Sequence, residues 1–270
     1  MKNLTKSLIA AAVLATSAMS HAAPVLTWNV ATVGLWTAFA PNAGVTRSAD
    51  QTLLSWGTPS VITPTGQSSL KIQNPDPATS INTYFGGGEP PPEFIAPSIA
   101  LTHNNNPITG TFLTSAQVTV GITLTPTTPA GDSFPLQDIE YNIKFKETPN
   151  NVRLDQCAVA TSLTPCDDIF VLLGGFLNES FDYDGFTYFV NAFPTEGGTL
   201  RFLEPSECAA AGEAIGCFGF TTPERQSSTL AFGLTISSER LEVPEPGSLA
   251  LLGLGLAGLA AATRRKQKQA

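Results

Sequence analysis

One histidine, four cysteines and a scatter of carboxylates carry nearly all the chemistry open to the central part of this 270-residue chain. His103 stands in the string Thr102-His103-Asn104-Asn105-Asn106-Pro107-Ile108. An imidazole beside amides suits a sugar hydroxyl or a cation, and a histidine can act as a general base. No G-x-S-x-G nucleophile elbow accompanies it, and one histidine cannot build a His-rich metal centre. The string follows a strand candidate at Ser98–Leu101 and runs into a proline. Short polar side chains there bond a turning backbone, so the residues by themselves read as a structural turn.

Cys157, Cys166, Cys208 and Cys217 form two pairs, each nine positions apart. Three connectivities are possible, and the equal spacing favours Cys157 with Cys166 and Cys208 with Cys217. A four-cysteine zinc site is the rival, but its pairs are ordinarily separated by two to four residues. Asp182-Tyr183-Asp184-Gly185 looks like a piece of a calcium loop. An EF-hand needs Gly at position six and Glu at position twelve, where this chain has Thr187 and Phe193. Asp-Gly between aromatic residues reads instead as a tight hairpin turn, with calcium at Asp182 and Asp184 as a lesser option. No spacing in sequence marks a carboxylate pair for glycoside hydrolysis. No catalytic residue, metal ligand or cofactor is assigned.

These groups have to be positioned by strands. Val118, Val120, Ile122 and Leu124 alternate with polar residues, as do Ile139, Tyr141, Ile143 and Phe145, and again Leu230, Phe232, Leu234 and Ile236. A period of two puts one face inward and one outward. Val25–Val33, Leu70–Gln73, Asp168–Leu173 and Phe186–Phe193 are further candidates, and no segment keeps a helical period. The expectation is an all-β fold: a single antiparallel β-sandwich, jelly-roll-like, over residues 23–243. Gly86–Pro92 reads as a long surface loop within it. Trp28, Trp36 and Trp56 offer either a core or a sugar-binding platform.

Over residues 23–243 there are eight Lys and Arg against 21 Asp and Glu, a net charge of −13. Such a surface favours solubility and offers nothing to a phosphate backbone, which excludes nucleic acid as a partner. It repels an anionic polysaccharide unless divalent cations bridge the two.

Both termini read as addresses. Residues 1–22 run from Lys2 and Lys6 through an apolar stretch, Leu8–Ala15, to Ser20-His21-Ala22: a signal peptide cut after Ala22. Residues 244–270 follow Val243 with Pro244-Glu245-Pro246, a charge-free apolar segment and a basic tail that includes Arg264, Arg265 and Lys266. The 16 residues from Gly247 to Ala262 would make about 24 Å of helix, short of a hydrocarbon core of about 30 Å. That suits a transient transmembrane helix in the inner membrane better than a permanent anchor.

Val-Pro-Glu-Pro, the apolar segment and the basic cluster, in that order, resemble the PEP-CTERM sorting signal of exported proteins of Gram-negative bacteria. The resemblance implies exosortase as the processing partner, cutting near Val243–Pro246, and release to the cell surface or matrix in systems that accompany exopolysaccharide and biofilm formation. Thr102, His103, Asn105, Pro107 and Ile108 resemble the Thr-His-x-Asn-x-Pro-Ile string of the THxN group of such proteins. Asp168-Ile169-Phe170-Val171 and Gly219–Glu224 are similar to further parts of it. That group implies a location and a fold without a molecular activity. The function expected is a non-enzymatic structural or interaction component of an exopolysaccharide matrix. The alternatives are a carbohydrate-binding or calcium-assisted module and, third, a secreted glycoside hydrolase.

Overall fold

The structure is a computed structural model that describes residues 23–241 except 60–65, 76–77, 87, 151, 163–165, 175 and 196–199. The signal peptide with Ala22, and the sorting residues Val243, Pro244, Glu245, Pro246, Arg264, Arg265 and Lys266, lie outside the described residues. Among the described residues, no helix is long and apolar enough to cross a membrane.

The strands in chain order are β1 (Thr27–Ala40), β2 (Val45–Arg47), β3 (Leu53–Trp56), β4 (Thr58–Pro59), β5 (Ser68–Gln73), β6 (Thr79–Asn82), β7 (Ala96–Asn104), β8 (Ile108–Thr109) and β9 (Ser115–Thr128). They continue with β10 (Phe134–Pro135), β11 (Ile139–Lys146), β12 (Asp168–Leu173), β13 (Phe176–Tyr183), β14 (Phe186–Pro194), β15 (Arg201–Phe202), β16 (Phe218–Thr222) and β17 (Ser227–Ser237). One sheet runs β15-β16-β12-β11-β9-β1-β6 with β10 beside β9; the other runs β13-β14-β17-β7-β5-β3-β2. Every strand pair within the two sheets is antiparallel.

The sandwich follows from the alternation. On β9 the residues Val118, Val120, Ile122 and Leu124 are buried, and on β11 Ile139, Tyr141, Ile143 and Phe145; they meet Leu230, Phe232, Leu234 and Ile236 of β17 in one apolar cluster. Each large side chain withdrawn from water contributes about 1.5–3 kcal/mol, the main term against chain entropy. β1 extends past its sequence-predicted end, as far as Ala40. Trp28, Trp36 and Trp56 are all 0% exposed, so the reading of these three as a binding platform is overturned. Their indoles pack inside, with Trp28 edge-on to four aromatic rings.

β12 departs from half-burial. Every position but its last is buried, because its outer face carries a second, smaller core of Val159, Ile169, Val171, Leu203 and Cys208. That core is roofed by two loops closed by disulfides, Cys157–Cys166 and Cys208–Cys217, the pairing that equal spacing favours. Ser206 Oγ donates to Ala158 O at 2.8 Å and joins the loops. The second loop begins within a helix, α1 (Pro205–Ala210), which also carries Ser206. Six residues are too few for a helical period to show in sequence. Gly219 of β16 packs against the backbone of β12, where a Cβ would overlap Phe170 O.

Asp184 and Gly185, at φ 49° and 82°, make the two-residue turn between β13 and β14, as the Asp-Gly pair predicts. At the C-terminal end, Leu241 N donates to Asn178 Oδ1 at 2.6 Å and Asn178 Nδ2 donates to Leu241 O at 3.1 Å. The described body is thus pinned through residue 241.

Candidate functional site

The Thr-His-x-Asn string is strand rather than turn. β7 continues through Asn104, and its inward positions Ile99, Leu101, His103 and then Asn105 are buried in strict alternation. Polar side chains on the inner face hid that continuity. His103 lies flat against Trp56, with ring centroids 5.8 Å apart and planes 5° apart, and meets Phe145 edge-on. Burial pushes its pKa down to about 3, so the ring is neutral. Neither ring nitrogen has a partner among the described residues. Thr102 points to the opposite face and shares a hydrogen bond with Thr229 at 2.9 Å. Pro107 and Ile108 are buried, Ile108 packing where Gly57, at φ 77°, leaves no room for a Cβ.

Asn105 is the member of the string that reaches other chemistry. Its backbone is held by the turn after β16, with Asn105 N donating to Gln226 O and Arg225 N to Asn105 O, both at 2.9 Å. Its Nδ2 donates to Thr222 O at 2.9 Å. The next-but-one residue after Thr222 is Glu224, and Thr222 is in register with Asp168 across β16 and β12. Glu147 follows the end of the neighbouring strand, β11. Three carboxylates from distant parts of the chain therefore converge: Glu147, Asp168 and Glu224 each offer an oxygen within 4.8 Å of the others.

Asp168 is 1% exposed and Glu224 7%. Asp168 Oδ1 accepts from Thr148 N at 2.8 Å and from Thr148 Oγ1 at 3.2 Å; Glu147 Oε2 faces Trp56 Nε1 at 3.5 Å. The remaining oxygens, Glu147 Oε1, Asp168 Oδ2, both of Glu224, Asn105 Oδ1 and Asn150 Oδ1, are buried without a donor. Burial first, and the neighbouring negative charge after it, push Glu147 up to about 7 and Asp168 well above the usual carboxylate range. Burial also raises Glu224 to about 7, against the opposing charge of Arg225. Among the described residues, no Lys or Arg forms an ion pair with any of the three. Without their protons the three carboxylates offer only acceptor oxygens, the donor set of a hard cation; with them they offer O–H groups.

Sequence reading quoted Asn105, Asp168 and Glu224 in three separate strings without joining them, and missed Glu147 and Asn150. The available signal was that two of the family-like strings begin or end on a carboxylate, Asp168 and Glu224, while the third carries Asn105 inside it. Asp182 and Asp184 do not belong to the cluster: Asp182 Oδ1 is taken by Thr187 Oγ1 at 2.6 Å, and Asp184 forms the hairpin turn.

No curated protein matches the chain. Its C-terminal residues 242–266 do match the model of the PEP-CTERM protein-sorting motif, a match that stops short of the Thr102–Ile108 string. The chain thus carries a PEP-CTERM sorting motif, which implies an exported protein sorted to the cell surface with exosortase as its processing enzyme.

Proposed function

We propose that the exported domain is a structural or interaction component of an exopolysaccharide matrix, with no catalytic activity of its own. The observation that carries this reading is the sorting motif at residues 242–266 on a sandwich of net charge −13 over residues 23–243. The resemblance of Thr102–Ile108 to the THxN group supports the same placement. A hydrolase needs two carboxyl groups about 5–5.5 Å or 6.5–9.5 Å apart across an accessible groove. Asp168 and Glu224 of the cluster are buried and do not form such a pair.

A carbohydrate-binding module is the second reading, favoured by one feature. A groove of about 610 Å³ opens between the sheets, lined among others by Gln137, Asp138, Glu140, Glu179, Ser180 and Phe181. Carboxylates, an amide and an aromatic edge are groups that hold sugar hydroxyls.

The test is incubation of the purified protein with the producer's own polysaccharide, with and without calcium, following both retention and polymer length. The matrix reading expects retention that calcium strengthens, by bridging acidic protein to polymer, and an unchanged polymer length. Shortening of the polymer would overturn the non-enzymatic reading. Retention lost in Glu140→Ala and Asp138→Ala, with calcium indifferent, would favour the binding module.

A further inference from the structure

The carboxylate cluster has three properties that seldom occur together. It is largely buried, every member offers an oxygen and none is ion-paired, and it draws on both sheets: Asn105 follows β7 of one, while Glu147, Asp168 and Glu224 belong to or follow β11, β12 and β16 of the other. An ionised carboxylate out of water is costly unless something positive or donating faces it, and like charges nearby add to the cost. Protonation offers one escape, in which the carboxyls bond one another. Glu147 and Asp168 lie close enough to share one proton, but that relieves only part of the cluster, and both oxygens of Glu224 are left without a hydrogen-bond partner.

The spacing fits an ion between them. Oxygens on opposite sides of a calcium ion are about 4.6–5.2 Å apart, twice the usual bond of 2.3–2.6 Å; the three carboxylates lie within 4.8 Å. Asn105 is the independent indication. It is neutral and 1% exposed, and its nitrogen is committed to Thr222 O, which fixes its other end as oxygen. That oxygen is left without a donor, and the side chain lies beside Glu224. A buried amide held in this way by the backbone adds a ligand without adding charge. The Asn150 side chain also lies beside Glu147 and Glu224, and its Oδ1 is buried without a donor. With no thiolate and no imidazole in the set, zinc and copper are poorly served. Calcium accepts five protein oxygens and completes its shell with water, whereas magnesium keeps most of its own.

We propose that Glu147, Asp168 and Glu224, with the side-chain oxygens of Asn105 and Asn150, bind one calcium ion that ties the two sheets of the sandwich together. The site stands apart from the matrix reading and does not depend on it. Trp56 forms part of its wall, reaching Glu147 with its indole N–H and stacking on His103 with its face.

The protein purified from the cells that export it, stripped with a chelator and dialysed, is titrated with calcium chloride by calorimetry and by native mass spectrometry. The expected result is one calcium per chain and a Tm raised by about 5–10 °C in 10 mM calcium, given the submillimolar affinity usual for extracellular sites. Terbium in place of calcium gives luminescence sensitised through Trp56, lost in Trp56→Phe while calcium still binds. Glu224→Gln removes one negative ligand: it loses the calcium-dependent shift, and in chelator it melts at or above the wild-type temperature. No bound calcium in the wild-type protein, with an unchanged Tm, would overturn the proposal. So would one calcium retained undiminished in both Glu224→Gln and Asp168→Asn, which would place the ion elsewhere.

Discussion

Glu207 shows how one carboxylate can be kept ionised inside this molecule. Its side chain is 3% exposed, yet Arg201 forks onto it, Nη1 to Oε2 at 2.7 Å and Nη2 to Oε1 at 2.8 Å, and Glu204 N adds a third bond at 2.8 Å. Burial alone would raise its pKa; the bonds from Arg201 and Glu204 outweigh it and hold the carboxyl below the usual range. A depressed folded-state pKa contributes stability that is complete above the unfolded value and is lost as pH falls through the folded one. Arg201→Ala should therefore cost about 1–3 kcal/mol at pH 7, read from urea midpoints. The gap between wild type and variant should narrow as pH drops below about 4.3; a gap that widened in acid would refute the assignment. Glu147, Asp168 and Glu224 lack such a cation and shift the other way. Neither arrangement is legible in sequence. Arg201 and Glu207 are six positions apart across a strand end and a helix, while the cluster spans residues 105–224. Only folding brings these partners together.

At the scale of elements the sequence was most readable where one face meets water. β9 and β11 keep the alternation that their apolar residues announce. In sequence β7 ends early, because His103 occupies an inward position and Asn105 is buried directly after the strand, and a polar residue facing inward looks, in one dimension, like the start of a turn. Asp168–Leu173 was found as a strand because it is short and apolar. That both its faces are covered is a property of the disulfide loops lying over it. Those loops do more than close themselves, since they shield Ile169 and Val171. Replacing Cys157 and Cys166 together by serine should lower stability by ~3 kcal/mol, the chain-entropy value for a ten-residue loop. Hydrogen exchange should then rise at Val159, Ile169 and Val171 well before it rises on β1 and β9. Uniform loss of protection across both sheets would show that the roof is not a separate cooperative unit.

For the molecule as a whole, the fold class and the export route were the readable parts, because both are written in local patterns: a period of two, and an ordered tripartite tail. Export makes a prediction in mass. Protein recovered from the cell surface should begin after Ala22 and end near Val243–Pro246, without the apolar segment from Leu249 or the basic cluster. Intact-mass measurement decides it, and a chain still bearing Arg264, Arg265 and Lys266 would contradict processing. The ligand of the sandwich was not readable, because grooves and buried clusters arise from topology and carry no repeat or spacing of their own.

The bonds between Asn178 and Leu241 leave the domain almost no leash. The sorting motif starts at residue 242, directly after the last pinned residue, and the chain from Leu241 to Pro246 can stretch to about 18 Å at most. If the apolar segment that follows enters the inner membrane, as the sequence leads one to expect, the folded body is held within that reach of it until the cut. β17, central in its sheet between β14 and β7, ends only five positions ahead of that motif. That sheet cannot be completed until the chain is available to within five residues of the motif, so the last step of folding and the point of severance are neighbours in sequence.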